Sequence, residues 1–230
     1  MRESIALASA MGYRAVQLDA THPDVRPRSL DRSARRDLAA LLRRHELDLT
    51  GLDLWLPPEH LAEGEHIERA ADAVVGAIGL IRELSGLLQT QAVISLTLPE
   101  TPDADALATI EAAAEREGVA IANHAWPAAE TGTLGLDPAL AIMAGASPAK
   151  MATTLGSRLA SARLSDAGVA GRVPVDSPSG RLDVAAYAAA LAISAANAPV
   201  VADCRQIADT RAAAEQALKA WNAALAFPGS

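Results

Sequence analysis

Two short apolar runs that stop abruptly in polar side chains constrain this chain more than any other feature. V-A-I-A-N-H-A-W-P starts at Val119 and gives way to Asn123, His124 and Trp126, and L-G-L-D-P-A starts at Leu134 and breaks at Asp137 and Pro138. Buried parallel strands read in this way. Helices cover both of their faces, so the run is continuously apolar, and the polar residues at its end are delivered to one rim of the sheet. The same unit recurs along the chain and predicts strands at residues 14–19, 48–55, 92–98, 119–124, 134–137, 159–164 and 199–203. Helical spacing fills the intervals at 3–11, 31–45, 65–88, 104–117, 138–144, 148–155, 182–194 and 209–226, with a break expected near Gly76 or Gly79 in the longest helix. Gly12 and Gly118 stop helices, Pro57 and Pro58 end a strand, and Asp103 is placed to cap the helix that follows it.

Seven strands alternating with helices specify a parallel α/β architecture. A doubly wound sheet would need a glycine-rich phosphate turn after its first strand. No G-x-G-x-x-G, P-loop or nucleophile elbow occurs, so a TIM-type (β/α) barrel is the expected class. The gap from Trp126 to Leu134 is shorter than the dozen or so residues a parallel crossover needs, so either a helix is lost there or the strand assignment is wrong. Residues 168–180, rich in glycine and proline, read as a loop.

Composition narrows the function classes. Half of the 230 residues are hydrophobic but only 3% are aromatic, so the core is built from Ala, Leu, Val and Ile. This length fits a single domain over residues 1–230. A formal net charge of −8 excludes a nucleic-acid surface, which needs clustered cations to displace counterions. The arginines between Arg26 and Arg44, interrupted by Asp31 and Asp37, read as a solvated loop and helix face in preference to the alternative, an anion-binding patch. A single cysteine, Cys204, rules out an internal disulfide and points to the cytoplasm. No stretch approaches the roughly 18 apolar residues of a membrane helix, and the N-terminus lacks the order of a signal peptide, so no membrane partner is expected.

Five pieces in order, A-M-G-Y-R-A-V-Q-L-D at 10–19, the strand ending N-H at Asn123 and His124, L-G-L-D-P-A at 134–139, A-R-L-S-D at 162–166 and V-V-A-D at 200–203, resemble the xylose isomerase-like TIM barrels. That superfamily contains sugar and sugar-phosphate isomerases and epimerases, together with the endonuclease IV proteins. The resemblance implies a small sugar or polyol as substrate. It also implies one divalent metal held by a Glu, an Asp, a His and a second Glu at the ends of four late strands. In this chain the first Glu falls at Ala122, the Asp on Asp137, the His on Arg163 and the second Glu on Asp203. Asp137 and Asp203 are therefore the metal ligands the resemblance carries over. A guanidinium has no lone pair to give, so Arg163 between these two carboxylates predicts an ion pair in the metal's place.

The candidate catalytic residues are Asp137, Asp203, Arg163 and His124. His124 lies two residues past Ala122, on the same strand face, where it either replaces a lost ligand or bonds a neighbouring loop. Asp19, Asp53 and Asp166 end strands and are candidate substrate contacts, as are Trp55 and Trp126, whose rings could stack on a sugar face or pack under loops. His60 and His66, in a polar loop and helix start, are given no role. Two functions stay open: an isomerase or epimerase, or a non-catalytic barrel that has lost its metal and binds a small ligand or partner. An endonuclease IV activity is excluded, because five scattered histidines and a net charge of −8 supply neither its metal cluster nor its basic cleft. The superfamily barrel begins on a strand and this chain begins on a helix. The wall is therefore expected to be open between the strands ending at Asp19 and Asp203, a route to a homo-oligomer.

Overall fold

Strand residues of the first half pair in parallel, in chain order. In this computed structural model, which describes residues 1–226, α1 (Arg2–Met11) precedes β1 (Ala15–Asp19), followed by α2 (Arg32–Arg44), β2 (Asp48–Asp53), α3 (Ile67–Leu88), β3 (Val93–Leu96), α4 (Ala104–Glu117) and β4 (Ala120–Asn123). β1 pairs with β2, β2 with β3 and β3 with β4, all parallel. These elements make up the first of two compact units, residues 1–125.

Local chemistry fixes the boundaries. The Asp31 carboxylate accepts the Ala34 N–H at 2.8 Å to start α2, and Asp103 accepts that of Ala106 at 2.9 Å to start α4. Gly12 and Gly118 end α1 and α4 in the left-handed conformation. Gly51 permits the close approach of β2 to β3, since a Cβ there would lie 2.5 Å from the Val93 carbonyl oxygen.

The core of this unit is aliphatic: Leu42, Leu52, Leu80, Ile81, Leu84 and Ile94 are fully buried. Each such side chain contributes about 2 kcal/mol by leaving water. That burial also corrects the expected break in α3, which runs unbroken through Gly76 and Gly79. The two glycines cost about 1 kcal/mol each in a helix, less than the burial of Val74, Ala77, Ile78 and Ile81 around them returns.

The second unit, from Trp126 onward, contains β5 (Leu134–Leu136), α5 (Pro138–Met143), α6 (Pro148–Leu155), β6 (Leu159–Leu164), β7 (Asp166–Gly168), β8 (Gly171–Val173), α7 (Val184–Ser194), β9 (Val200–Ala202) and α8 (Thr210–Ala226). β5 pairs in parallel with β6, and β6 with β9. Its core centres on Leu134, Leu159, Ala162, Tyr187 and Leu191. No helix separates β4 from β5, so of the two explanations for the short gap the lost helix is correct. The expected loop at 168–180 is corrected as well: Gly168 and Gly171 bracket a two-residue turn, and β7 and β8 form an antiparallel hairpin.

Each of the seven expected strands is present, shortened by a few residues at most. Four in the first unit and three in the second, they alternate with helices everywhere but between β4 and β5, in the succession of a TIM-type (β/α) barrel. Among the described residues no helix is long and apolar enough to cross a membrane.

Candidate active site

β5, β6 and β9 end side by side, and their register places the charged residues of the second unit. Leu136 is the partner of Ala162, and Leu164 that of Ala202, so Asp137 emerges next to Arg163 and Asp203 one step beyond β9. Asp137 is the N-cap of α5, its Oδ1 accepting the Ala139 N–H at 3.1 Å. The same oxygen accepts the Ser165 hydroxyl at 2.7 Å. Its Oδ2 accepts Arg163 Nη1 at 3.3 Å and, in a very short contact, Arg172 Nη2. No part of the Asp137 side chain reaches solvent, and Arg163 is 6% exposed.

Asp203 is held by three guanidinium groups. Arg205 donates to Oδ1 from Nε at 2.9 Å and to Oδ2 from Nη2 at 2.8 Å, Arg172 Nη1 lies 3.4 Å from Oδ2, and Arg163 Nε lies 3.7 Å from it. Burial alone would raise the Asp203 pKa. The hydrogen bonds and charge of Arg205, with the charges of Arg163 and Arg172, outweigh it and bring the carboxyl from 3.8 to about 2.

Arg163 is itself anchored from behind, where the buried Tyr187 hydroxyl donates to its backbone carbonyl at 3.1 Å. Burial, and then the Asp137 charge, push the Tyr187 phenol well above its ordinary range. Burial and the Asp203 charge likewise push the Cys204 thiol up to about 11, so it is a packed thiol at neutral pH and no nucleophile.

Two carboxylates and three guanidiniums leave an excess of one positive charge in a largely buried cluster. These residues do not fit a divalent ion. The Asp137 oxygens accept from four donors, both Asp203 oxygens accept from Arg205, and Arg163 contributes a fixed cation with no lone pair to give. Among the described residues no three His, Cys, Asp or Glu side chains gather in a metal-binding group.

The remaining candidates divide between structural and exposed positions. Asp166 is buried and accepts the N–H groups of Ala167, Arg181 and Leu182 at 2.7, 2.9 and 2.9 Å, so its carboxylate pins the chain after the hairpin. Asp19 accepts the Thr21 N–H and hydroxyl at 2.7 and 2.6 Å in a turn after β1. Asp53 is half-buried, Trp55 is 59% exposed, and Trp126 is half-buried. His124 is buried after β4, its N–H donating to the Leu96 carbonyl at 2.8 Å. Asn123 is structural, its side-chain oxygen accepting the Leu98 and Ala125 N–H groups at 3.1 and 3.0 Å. Sequence reasoning missed Arg172 and Arg205. Gly168 and Gly171 before Arg172 are compatible with a hairpin but do not distinguish it from a loop, and Arg205 stands two residues past Asp203.

No family model matches the chain, and no curated protein is similar to it in sequence. Solved structures do match over nearly its whole length. An L-ribulose 3-epimerase superposes with a TM-score of 0.69 at 14% identity, over 97% of this chain and 89% of that one. A xylose isomerase domain protein from Planctomyces limnophilus gives 0.68 at 17% identity, over 96% and 89%. The D-psicose 3-epimerase of Clostridium cellulolyticum H10, solved with D-tagatose, gives 0.64 at 15% identity, over 99% and 92%.

Proposed function

We propose that this chain, which has the xylose isomerase-like TIM-barrel fold, is a metal-independent member of that architecture that binds a small sugar or polyol without isomerising it. The observation that carries the proposal is the commitment of both inherited carboxylates, Asp137 and Asp203, to Arg163, Arg172 and Arg205. Shifting a carbonyl along a sugar requires a base that takes a proton from the neighbouring carbon and an electrophile that holds the resulting oxyanion. Asp203, with its pKa near 2, is a weak base. The excess guanidinium charge suits binding of hydroxyl or carbonyl oxygens, which need donors.

The sugar class comes from the epimerases of the same fold, and the loss of chemistry from the ionic cluster. The test pairs binding with turnover. Purified protein is titrated calorimetrically with L-ribulose, D-psicose and D-tagatose, and the same sugars are incubated with it and followed by NMR for inversion at C3, with manganese and with EDTA. Saturable binding of at least one sugar without inversion is the expected result. Inversion under either condition would establish the epimerase reading instead, and absence of binding to all three would remove the sugar assignment.

A further inference from the structure

A second place in the molecule gathers charge around open space, and it lies wholly in the first unit. A cleft of about 600 Å³ opens where the ends of β1 and β2 meet the first turns of α3. Arg26, Arg28 and Arg69 line it together with His60 and His66, and Asp72 is its one carboxylate. Three guanidiniums against one carboxylate leave an excess of two positive charges, in a chain whose formal net charge is −8. Arg26 is steadied by donating to the Thr21 carbonyl at 2.9 Å. Arg28 and Arg69 are exposed and form no ion pair or side-chain hydrogen bond among the described residues.

Two further features point to an anion. His66 is the N-cap of α3 and makes no side-chain cap hydrogen bond, so the N–H groups that open this 22-residue helix, with Glu68 the one acidic residue of its first turn, lie at the edge of the cleft. The His60 and His66 rings lie 4.6 Å apart, bringing two further potential donors to the same wall. Leu54, Leu56 and Pro57 supply an apolar side. The volume is that of a small-molecule site.

We propose that this cleft binds a small phosphomonoester, with the phosphate on Arg26, Arg28 and Arg69 and a ring or short carbon body against Leu54, Leu56 and Pro57. A dianion matches the charge excess of two, and the planar guanidinium fork suits phosphate oxygens. The cleft shares no residue with the Asp137–Asp203 cluster, so its occupancy stands or falls independently of the function proposed there.

The test is calorimetric titration of the full chain with phenyl phosphate and with inorganic phosphate, repeated on Arg69→Ala and on the double variant R28A/R69A. Both side chains are exposed, so melting temperatures stay at the wild-type value. Phenyl phosphate binds one to one and more tightly than inorganic phosphate, and the double variant weakens it by about tenfold or more. In amide NMR spectra the shifts on binding fall at Thr21, His60 and Arg69. No binding of phenyl phosphate, unchanged affinity in the double variant, or shifts confined to other residues would overturn the site. Equal affinity for the two phosphates would overturn the role of the apolar wall.

Discussion

At the scale of single residues, the Asp203 carboxyl carries the clearest electrostatic consequence. Its folded pKa of about 2 lies below the ordinary 3.8, so the stability it contributes is fully present above pH 3.8 and is lost as the pH falls through 2. The difference corresponds to about 2 kcal/mol. Thermal melts between pH 6 and pH 2 should therefore show a loss of stability below about pH 4, and in Asp203→Asn that acid limb should be reduced. The same substitution at neutral pH leaves three guanidiniums with one fewer anion and should cost about 3 kcal/mol. An acid limb identical in the variant would show that Asp203 is not so held. Cys204 gives an independent reading of the same burial. With its pKa raised to about 11, its alkylation by iodoacetamide at pH 8 should run about a hundredfold slower than that of free cysteine. An ordinary rate would mean that the thiol is not buried next to Asp203.

At the scale of elements, the β7–β8 hairpin decides the site, because it carries Arg172 between Asp137 and Asp203. The hairpin is held in turn by Asp166, which accepts three backbone N–H groups, and by Gly180, where an added Cβ would overlap the Asp166 carboxylate. Gly180→Ala should accordingly cost about 2 kcal/mol or more in denaturant unfolding and loosen the Arg172 contacts. A neutral result would show that the loop has room to give. The parallel strands and most helix ends were legible because apolar runs, caps and prolines are local signals. The hairpin was not, because glycine and proline between residues 168 and 180 signal a loop and a turn equally well, and only the pairing of β7 with β8 chooses between them. The continuity of α3 was hidden for the opposite reason: its two glycines are local signals that distant packing overrides.

At the scale of the whole molecule, the resemblance implies four positions for metal ligands, and the residues at two of them, Ala122 and Arg163, read from the sequence alone as side chains that cannot ligate. The contact of Arg163 with Asp137 followed from that reading. What the sequence concealed is the extent of the replacement, because Arg172 and Arg205 reach Asp203 through a hairpin and a turn that no strand pattern announces. The redundancy has a consequence. Arg163→His by itself leaves Arg172 bonded to both carboxylates, so it should not create a metal site; the double variant R163H/R172A frees one Asp137 oxygen and brings an imidazole beside it. The decisive measurement is calorimetric titration of wild-type protein and of this double variant with manganese and zinc. Cations built into the chain predict no saturable binding by the wild type and one equivalent bound by the variant. One equivalent bound by the wild type would contradict the replacement of the metal by arginine.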